Sequence, residues 1–262
     1  MYAFDFVRPK TLNEAVAALA AEDAQALGGG QTLIPTLKAR LASPATLVSL
    51  AGIEELRGVR REGGMIVIGG GTTHGQVARE TAADYPALAK LAHKIGDPAV
   101  RNRGTMGGSL ANNDPSACYP AAALASSATI LTNTRAIAAD DFFQGMFTTA
   151  LEPGEIVTEI RWPIPARANY QKFEQPASRF ALVGVFVAQY DDGVRVAVTG
   201  ASENGVFRWE EAEAALSANF APEAVKGMTP PAEGMIGDLH GTPEYRAHLI
   251  GVLTARAVAA AG

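Results

Sequence analysis

Arg101-Asn102-Arg103-Gly104-Thr105-Met106-Gly107-Gly108-Ser109-Leu110-Ala111-Asn112-Asn113-Asp114-Pro115 gathers glycines, hydroxyls, amides and a carboxylate into one short stretch. Gly107 and Gly108 let a backbone come close to a ligand. Thr105 and Ser109 offer hydroxyls, Asn112 and Asp114 offer groups that bond to sugar or ribityl hydroxyls, and Arg101 and Arg103 supply positive potential. Leu110 and Ala111 are apolar amid these polar groups, which predicts a partly buried segment, with residues 100–109 read as a loop. The plainer reading is a surface loop whose polar groups satisfy one another. Binding residues concentrate on loops of this kind.

Toward the N-terminus a second such stretch reads Leu27-Gly28-Gly29-Gly30-Gln31-Thr32-Leu33. It lies between an expected strand at 24–27 and an expected helix at 33–41, with Pro35 tolerated in the first helical turn. Successive N–H groups of such a turn converge on an anion, helped by the end of the following helix, and Thr32 adds a hydroxyl. A diphosphate is the natural guest; a plain glycine-rich helix entry is the alternative. The usual dinucleotide fingerprint fails here, because no glycine stands three positions after the triplet. It fails at Gly69-Gly70-Gly71 too, where His74 takes the last place. No P-loop pattern occurs.

The remaining elements are read from periodicity and caps. Thr11 and Glu14 form a capping box for a helix running to about residue 21. Strands are expected at 47–50, 65–68, 128–131 and 156–162, and helices at 73–83, 85–95, 117–125 and 140–148, with Asp84 capping the second of these. Pro163 and Pro165 suggest a boundary. Beyond it, strands at 181–190 and 194–199 join through Asp191-Asp192-Gly193, a hairpin signal. Thr242 and Pro243 open a C-terminal helix. Trp162 and Trp209 read as packing residues, His74 as the start of a helix, and Glu210, Glu211 and Glu213 as a solvated helix face. The mix predicts an α+β chain of three lobes, residues 1–55, 56–163 and 164–262.

Composition narrows the chemistry. The chain has 262 residues, a formal net charge of −5 and no basic block, which argues against a nucleic-acid partner. The single cysteine, Cys118, excludes an internal disulfide and a four-cysteine iron–sulfur or zinc site within this chain. The four histidines show no metal-ligand spacing. Redox chemistry here would therefore need an organic cofactor. The opening residues have no apolar signal core and no run reaches bilayer-spanning length, so a cytoplasmic protein without a transmembrane segment is expected.

Together, LGGGQTL and RNRGTMGGSLANNDP resemble the two cofactor motifs of the FAD-binding subunit of the molybdenum hydroxylases, the family of the medium subunit of aerobic carbon monoxide dehydrogenase and the flavin domain of xanthine dehydrogenase. FDFVRPKTLNEAVAAL, IGGGTTHGQV and SRFALVGVFVA resemble the family as well. The resemblance implies the three-lobed FAD-binding fold of the vanillyl-alcohol oxidase group. It implies that Gly28, Gly29, Gly30, Gln31 and Thr32, flanked by Leu27 and Leu33, wrap the FAD diphosphate. Thr105, Gly107, Gly108, Ser109 and Asp114, with Asn112, would hold the rest of the diphosphate and the ribityl region. Lys172 and Phe180 or Leu182 would cover the flavin. It further implies a large partner subunit with a molybdenum cofactor, a small partner with 2Fe-2S clusters, and a dimer of such heterotrimers, with electrons passing from the clusters through FAD to a terminal acceptor. No side chain need be a catalytic acid or base.

The sequence departs from the family pattern at Cys118, where an Asp that bonds to the cofactor is common. A thiol is a poor acceptor, so Cys118 reads as a small buried residue. Gly28 and Thr32 replace the commoner Ala and Ser. Two other readings stay open. One is a stand-alone FAD oxidoreductase of the vanillyl-alcohol oxidase group, which would need a substrate lobe and its own proton donor or a covalent flavin link; His74 and Cys118 are the only candidates for that link. The other is a nucleotide-binding scaffold without flavin.

Overall fold

The computed structural model describes residues 1–261. Its strands make three larger sheets. Asp5–Val7, Thr46–Ser49 and Ala24–Leu27 lie in that order, all parallel. Val59–Glu62, Met65–Gly69, Val157–Pro163, Thr129–Thr132 and Ala136–Ala138 form an antiparallel sheet of five. Arg167–Glu174, Ala181–Tyr190, Gly193–Thr199 and Phe207–Arg208 form an antiparallel sheet of four. Helices alternate with parallel strands only in the first, small sheet, and the two larger sheets are antiparallel, so the class is α+β. Among the described residues no helix is long and apolar enough to cross a membrane.

The largest core runs between the five- and four-stranded sheets, from Ile66 and Ile68 through the wholly buried helix Tyr119–Ala125 to Tyr170 and Phe186. A second core packs the outer face of the four-stranded sheet against Glu210–Ala218 and Pro243–Ala259. The first sheet has only a small core, built on Ala15, Val48, Ile53, Leu56 and Ile156.

Local signals set many elements. The strand Ala24–Leu27, the hairpin Ala181–Tyr190/Gly193–Thr199 and the C-terminal helix Pro243–Ala259, capped by Thr242 through the Tyr245 N–H, lie where the sequence predicts them. Elsewhere non-local contacts win. Thr11 caps Leu12–Leu19 through the Glu14 N–H, but the Glu14 carboxylate accepts from the Lys10 N–H at 2.7 Å instead of closing the box. Asp84 does not cap Pro86–His93; it pairs with Arg61 at 2.6 Å. The expected helix at 140–148 is one turn, Ala139–Phe142, followed by the hairpin Phe143–Gly145/Thr148–Thr149. Asn113 clamps that hairpin, its amide donating to Gly145 O and Thr148 O at 2.7 and 2.9 Å. Glu213 is not solvated: it is buried, pairs with Arg208 at 2.6 Å and accepts from the Val196 N–H. The strand Arg167–Glu174 was not expected at all.

Candidate functional site

A cleft of about 800 Å³ opens between the glycine-rich segments, within the range of small-molecule sites, roughly 300–1,000 Å³. Leu27, Gly28, Gly29, Gly30, Gln31, Thr32 and Leu33 line one side, and Thr105, Gly107, Gly108, Ser109, Asn112, Asp114 and Cys118 line the other. Lys172 reaches it from the four-stranded sheet and Phe180 from the turn before the strand Ala181–Tyr190. Leu182 does not: it is fully buried in the core behind its strand. A β-bulge explains the difference: pairing passes from Phe173–Val183 to Glu174–Ala181, so Leu182 is skipped and packs in the same core as Val183 and Val185, while Phe180 precedes the strand.

Segment 28–32 turns straight out of the strand Ala24–Leu27. No backbone N–H of Gly28, Gly29, Gly30, Gln31 or Thr32 donates to an acceptor within the described chain. Five successive donors are thus available at the cleft wall. The following helix, Leu33–Lys38, has only six residues. The anion-attracting character of this wall therefore lies in the N–H row rather than in a helix dipole. Gly30 has φ +71°, which suits glycine. Gly29 crosses the second segment so closely that a Cβ would fall 2.0 Å from Arg103 O.

The second segment is no loop. Asp97 caps Pro98–Arg101, and Thr105 caps a helix over Met106–Asn112 by accepting from the Gly108 N–H at 3.2 Å. Its N–H groups are already engaged: Met106 donates to Thr72 O and Gly107 to Gly70 O, at 3.0 and 2.8 Å. Gly107 is required because a Cβ there would meet Gly70 O at 2.7 Å. Asn113 ends the helix in the left-handed conformation, φ 43°. Asp114 then turns the chain, its Oδ1 accepting from the Ser116 N–H at 2.8 Å. The four-stranded sheet fixes this turn, since Thr199 Oγ1 donates to Pro115 O and Ala117 O.

Charge on the cleft wall is mainly positive. Arg57, Arg103, Lys172 and Arg179 line it, against Asp114 and Glu155, although the whole chain is net negative. The Arg135 guanidinium, with help from Thr134 and Thr132, holds the Glu155 carboxyl well below the usual carboxylate range. Lys172 is buried, and its ammonium donates to a single protein acceptor, Lys94 O at 2.9 Å. Cys118 is 4% exposed at the edge of the main core.

A family model described as the FAD binding domain in molybdopterin dehydrogenase matches residues 2–165. The chain belongs to this family. It is similar to the carbon monoxide dehydrogenase medium chain of Hydrogenophaga pseudoflava, 34% identical over 98% of this chain and 96% of that one. It is also similar to the nicotine 6-hydroxylase medium subunit of Paenarthrobacter nicotinovorans, 31% identical over 99% of this chain and 98% of that one. Among solved structures, carbon monoxide dehydrogenase from Hydrogenophaga pseudoflava lacking the Mo-pyranopterin moiety of its cofactor superposes with TM-score 0.89 at 34% identity, covering 99% of this chain and 97% of that one.

Measured against this family, the site contains more than the two motifs. Gly70, Gly71, Thr73, His74, Ser178 and Arg179 also line the cleft. The 69–71 triplet fails as a dinucleotide fingerprint but lies in IGGGTTHGQV, one of the stretches that resemble the family. Its role comes from Thr73, which bridges to Thr105 across the cleft floor. Ser178 and Arg179 open SRFALVGVFVA, another stretch that resembles the family, without a binding pattern of their own; both have positive φ, 62° and 57°, in the turn that carries Phe180.

Proposed function

We propose that this chain binds FAD non-covalently in the cleft and serves as the electron-transfer subunit of a molybdenum hydroxylase complex. The observation that carries the reading is the row of five unpaired N–H groups at residues 28–32. A diphosphate presents acceptors only, which is what such a row lacks. The residues fit the cofactor in shape as well, since glycine is the only residue that lets segment 28–32 cross Arg103 and Gly104. Gly28, Gly29, Gly30, Gln31 and Thr32 hold the diphosphate, with the Thr105 and Ser109 hydroxyls opposite. Asn112 and the free oxygen of Asp114 take ribityl hydroxyls. Lys172 and Phe180 bound the flavin end, where a buried ammonium with one protein acceptor favours an electron-rich ligand. Leu27, Leu33, Gly107, Gly108 and Cys118 shape the walls.

Bound FAD supplies electron transfer between iron–sulfur clusters of a partner and a terminal acceptor, chemistry that protein side chains lack. One cysteine cannot ligate a cluster, so the small iron–sulfur subunit and the large molybdenum-cofactor subunit are separate chains. The medium-chain names of the relatives support that division. The finer reading is a dimer of heterotrimers in the cytoplasm, built on the vanillyl-alcohol oxidase type of FAD fold with lobes 1–55, 56–163 and 164–262. Each of the three larger sheets falls within one of those spans, which supports the boundaries.

The test is a visible absorption spectrum of the purified chain before and after heat denaturation and filtration. Flavin bands that pass into the filtrate are expected. Flavin left on the denatured protein would favour the stand-alone oxidoreductase with a covalent link. A folded chain that takes up no added FAD would overturn the reading.

A further inference from the structure

His74 is used by none of the roles above, yet it lines the cleft and is 5% exposed. Its backbone N–H donates to Gly104 O at 2.9 Å, and its ring leans on Tyr119 at 5.4 Å between centroids. Nε2 lies where a side chain on residue 104 would stand, 2.5 Å from a Cβ built on Gly104. Gly104 is also what Gly29 touches from its own side, a Cβ on Gly29 falling 2.6 Å from Gly104 Cα. The imidazole therefore sits one glycine away from the N–H row.

The two ring nitrogens are not equivalent. Nδ1 is enclosed and has no hydrogen-bond partner. An enclosed unpaired N–H is costlier than an enclosed lone pair. That places the proton on Nε2 and leaves Nε2–H as the donor the cleft can reach. Burial and the nearby Arg101 push the His74 pKa down to about 4, so the ring is neutral at pH 7.

We propose that His74 is a further cofactor-binding residue, whose Nε2–H donates to the diphosphate of bound FAD beside the N–H row of residues 28–32. The inference rests on the FAD reading above. It extends the diphosphate site to a side chain outside both glycine-rich segments.

The test measures binding of FAD, and of ADP as a probe with the diphosphate but no flavin ring, to the full chain and to His74→Phe, which keeps an aromatic ring against Tyr119. Both ligands are expected to bind at least about tenfold more weakly to the variant, the effect of losing a buried hydrogen bond. On the wild-type chain, ¹⁵N NMR of the His74 ring should show the Nε2–H tautomer and a shift of its resonance when either ligand is added. Binding by His74→Phe within about twofold of wild type overturns the proposal. So does weakened FAD binding with unchanged ADP binding, or a His74 resonance indifferent to ligand. If the variant does not fold, the NMR result decides. A wild-type chain that binds neither ligand is a separate outcome: it overturns the FAD reading itself.

Discussion

Two triplets of glycine leave two strands of this chain, and they do opposite things. Gly28-Gly29-Gly30 follows Ala24–Leu27 and leaves its N–H groups unpaired. Gly69-Gly70-Gly71 ends Met65–Gly69 and spends every N–H on the fold: Gly69 donates to Gly58 O, Gly70 to Thr158 O and Gly71 to Leu56 O, at 3.0, 2.8 and 2.7 Å. The first triplet offers backbone to a ligand. Close approach does not separate them, since a Cβ would fall 2.1 Å from Val157 O at Gly70 and 2.0 Å from Arg103 O at Gly29; the hydrogen bonds do. Identical tripeptides after a strand thus become a binding wall or a structural joint, according to what already holds their donors.

Substitution should separate the two. Gly70→Ala forces Val157 away within the five-stranded sheet and should destabilise the chain by about 3 kcal/mol or more, read by urea unfolding with or without FAD. Acid should probe His74, which the second triplet leads into. A histidine held at about 4 when folded and about 6.5 unfolded contributes stability that is full above 6.5 and is lost as pH falls toward 4. The loss is on the order of 3 kcal/mol. It should appear as the extra pH dependence of the apoprotein's unfolding free energy relative to His74→Gln. Gly29→Ala should leave the apoprotein folded but part the crossing segments, weakening FAD by on the order of 100-fold in an equilibrium titration. A variant that unfolds instead would put the first triplet in the same class as the second.

Smaller effects sharpen the contrast. Lys172→Met removes a buried charge with one acceptor. FAD should bind about tenfold more weakly while the apoprotein loses no stability, because the desolvation cost of the ammonium disappears. Calorimetry of the apo and loaded chain reads both. Gly28→Ala should change FAD affinity by less than about threefold. Its one tight contact would be the Thr105 hydroxyl, at 3.0 Å, with Gly108 Cα at an ordinary 3.9 Å, and a side-chain end can shift by a few tenths of an ångström at low cost. Retention of flavin through gel filtration is a sufficient assay.

The local code accounts for what was legible. Ala24–Leu27 with its glycine turn, the Asp-Gly hairpin and the Thr242–Pro243 cap are each decided within a few residues, and each lies where it was expected. Arg167–Glu174 reads as RANYQKFE, whose apolar alternation covers only Ala168 and Tyr170, and is a strand because Ala181–Tyr190 pairs along its whole length. Met106–Asn112 contains two glycines, which oppose a helix by about 1 kcal/mol each. It is helical because Thr105 caps it and Gly70 accepts the Gly107 N–H. The candidate site was legible where its chemistry lies in contiguous glycines and hydroxyls. Leu182 misled because it is the residue skipped at a β-bulge, which turns it into the outer core, and nothing local in the sequence marks that bulge. His74 reads in the sequence only as a helix start or a candidate for a covalent flavin link, because its closeness to the N–H row runs through Gly104 and Gly29, far apart in sequence.

The thin core under the first sheet gives the bound cofactor a second office. Five buried residues hold that sheet, whereas the cleft draws walls from residues 27–33, 102–118 and 172–180 alike. A molecule spanning those walls acts as a keystone between parts of the chain that otherwise share little apolar area. Any ligand that binds only the folded chain adds about 2.7 kcal/mol at a hundred times its dissociation constant. The first segment released to a protease from the empty chain should therefore be the N-terminal one, and survival of the subunit in a cell should follow its supply of riboflavin.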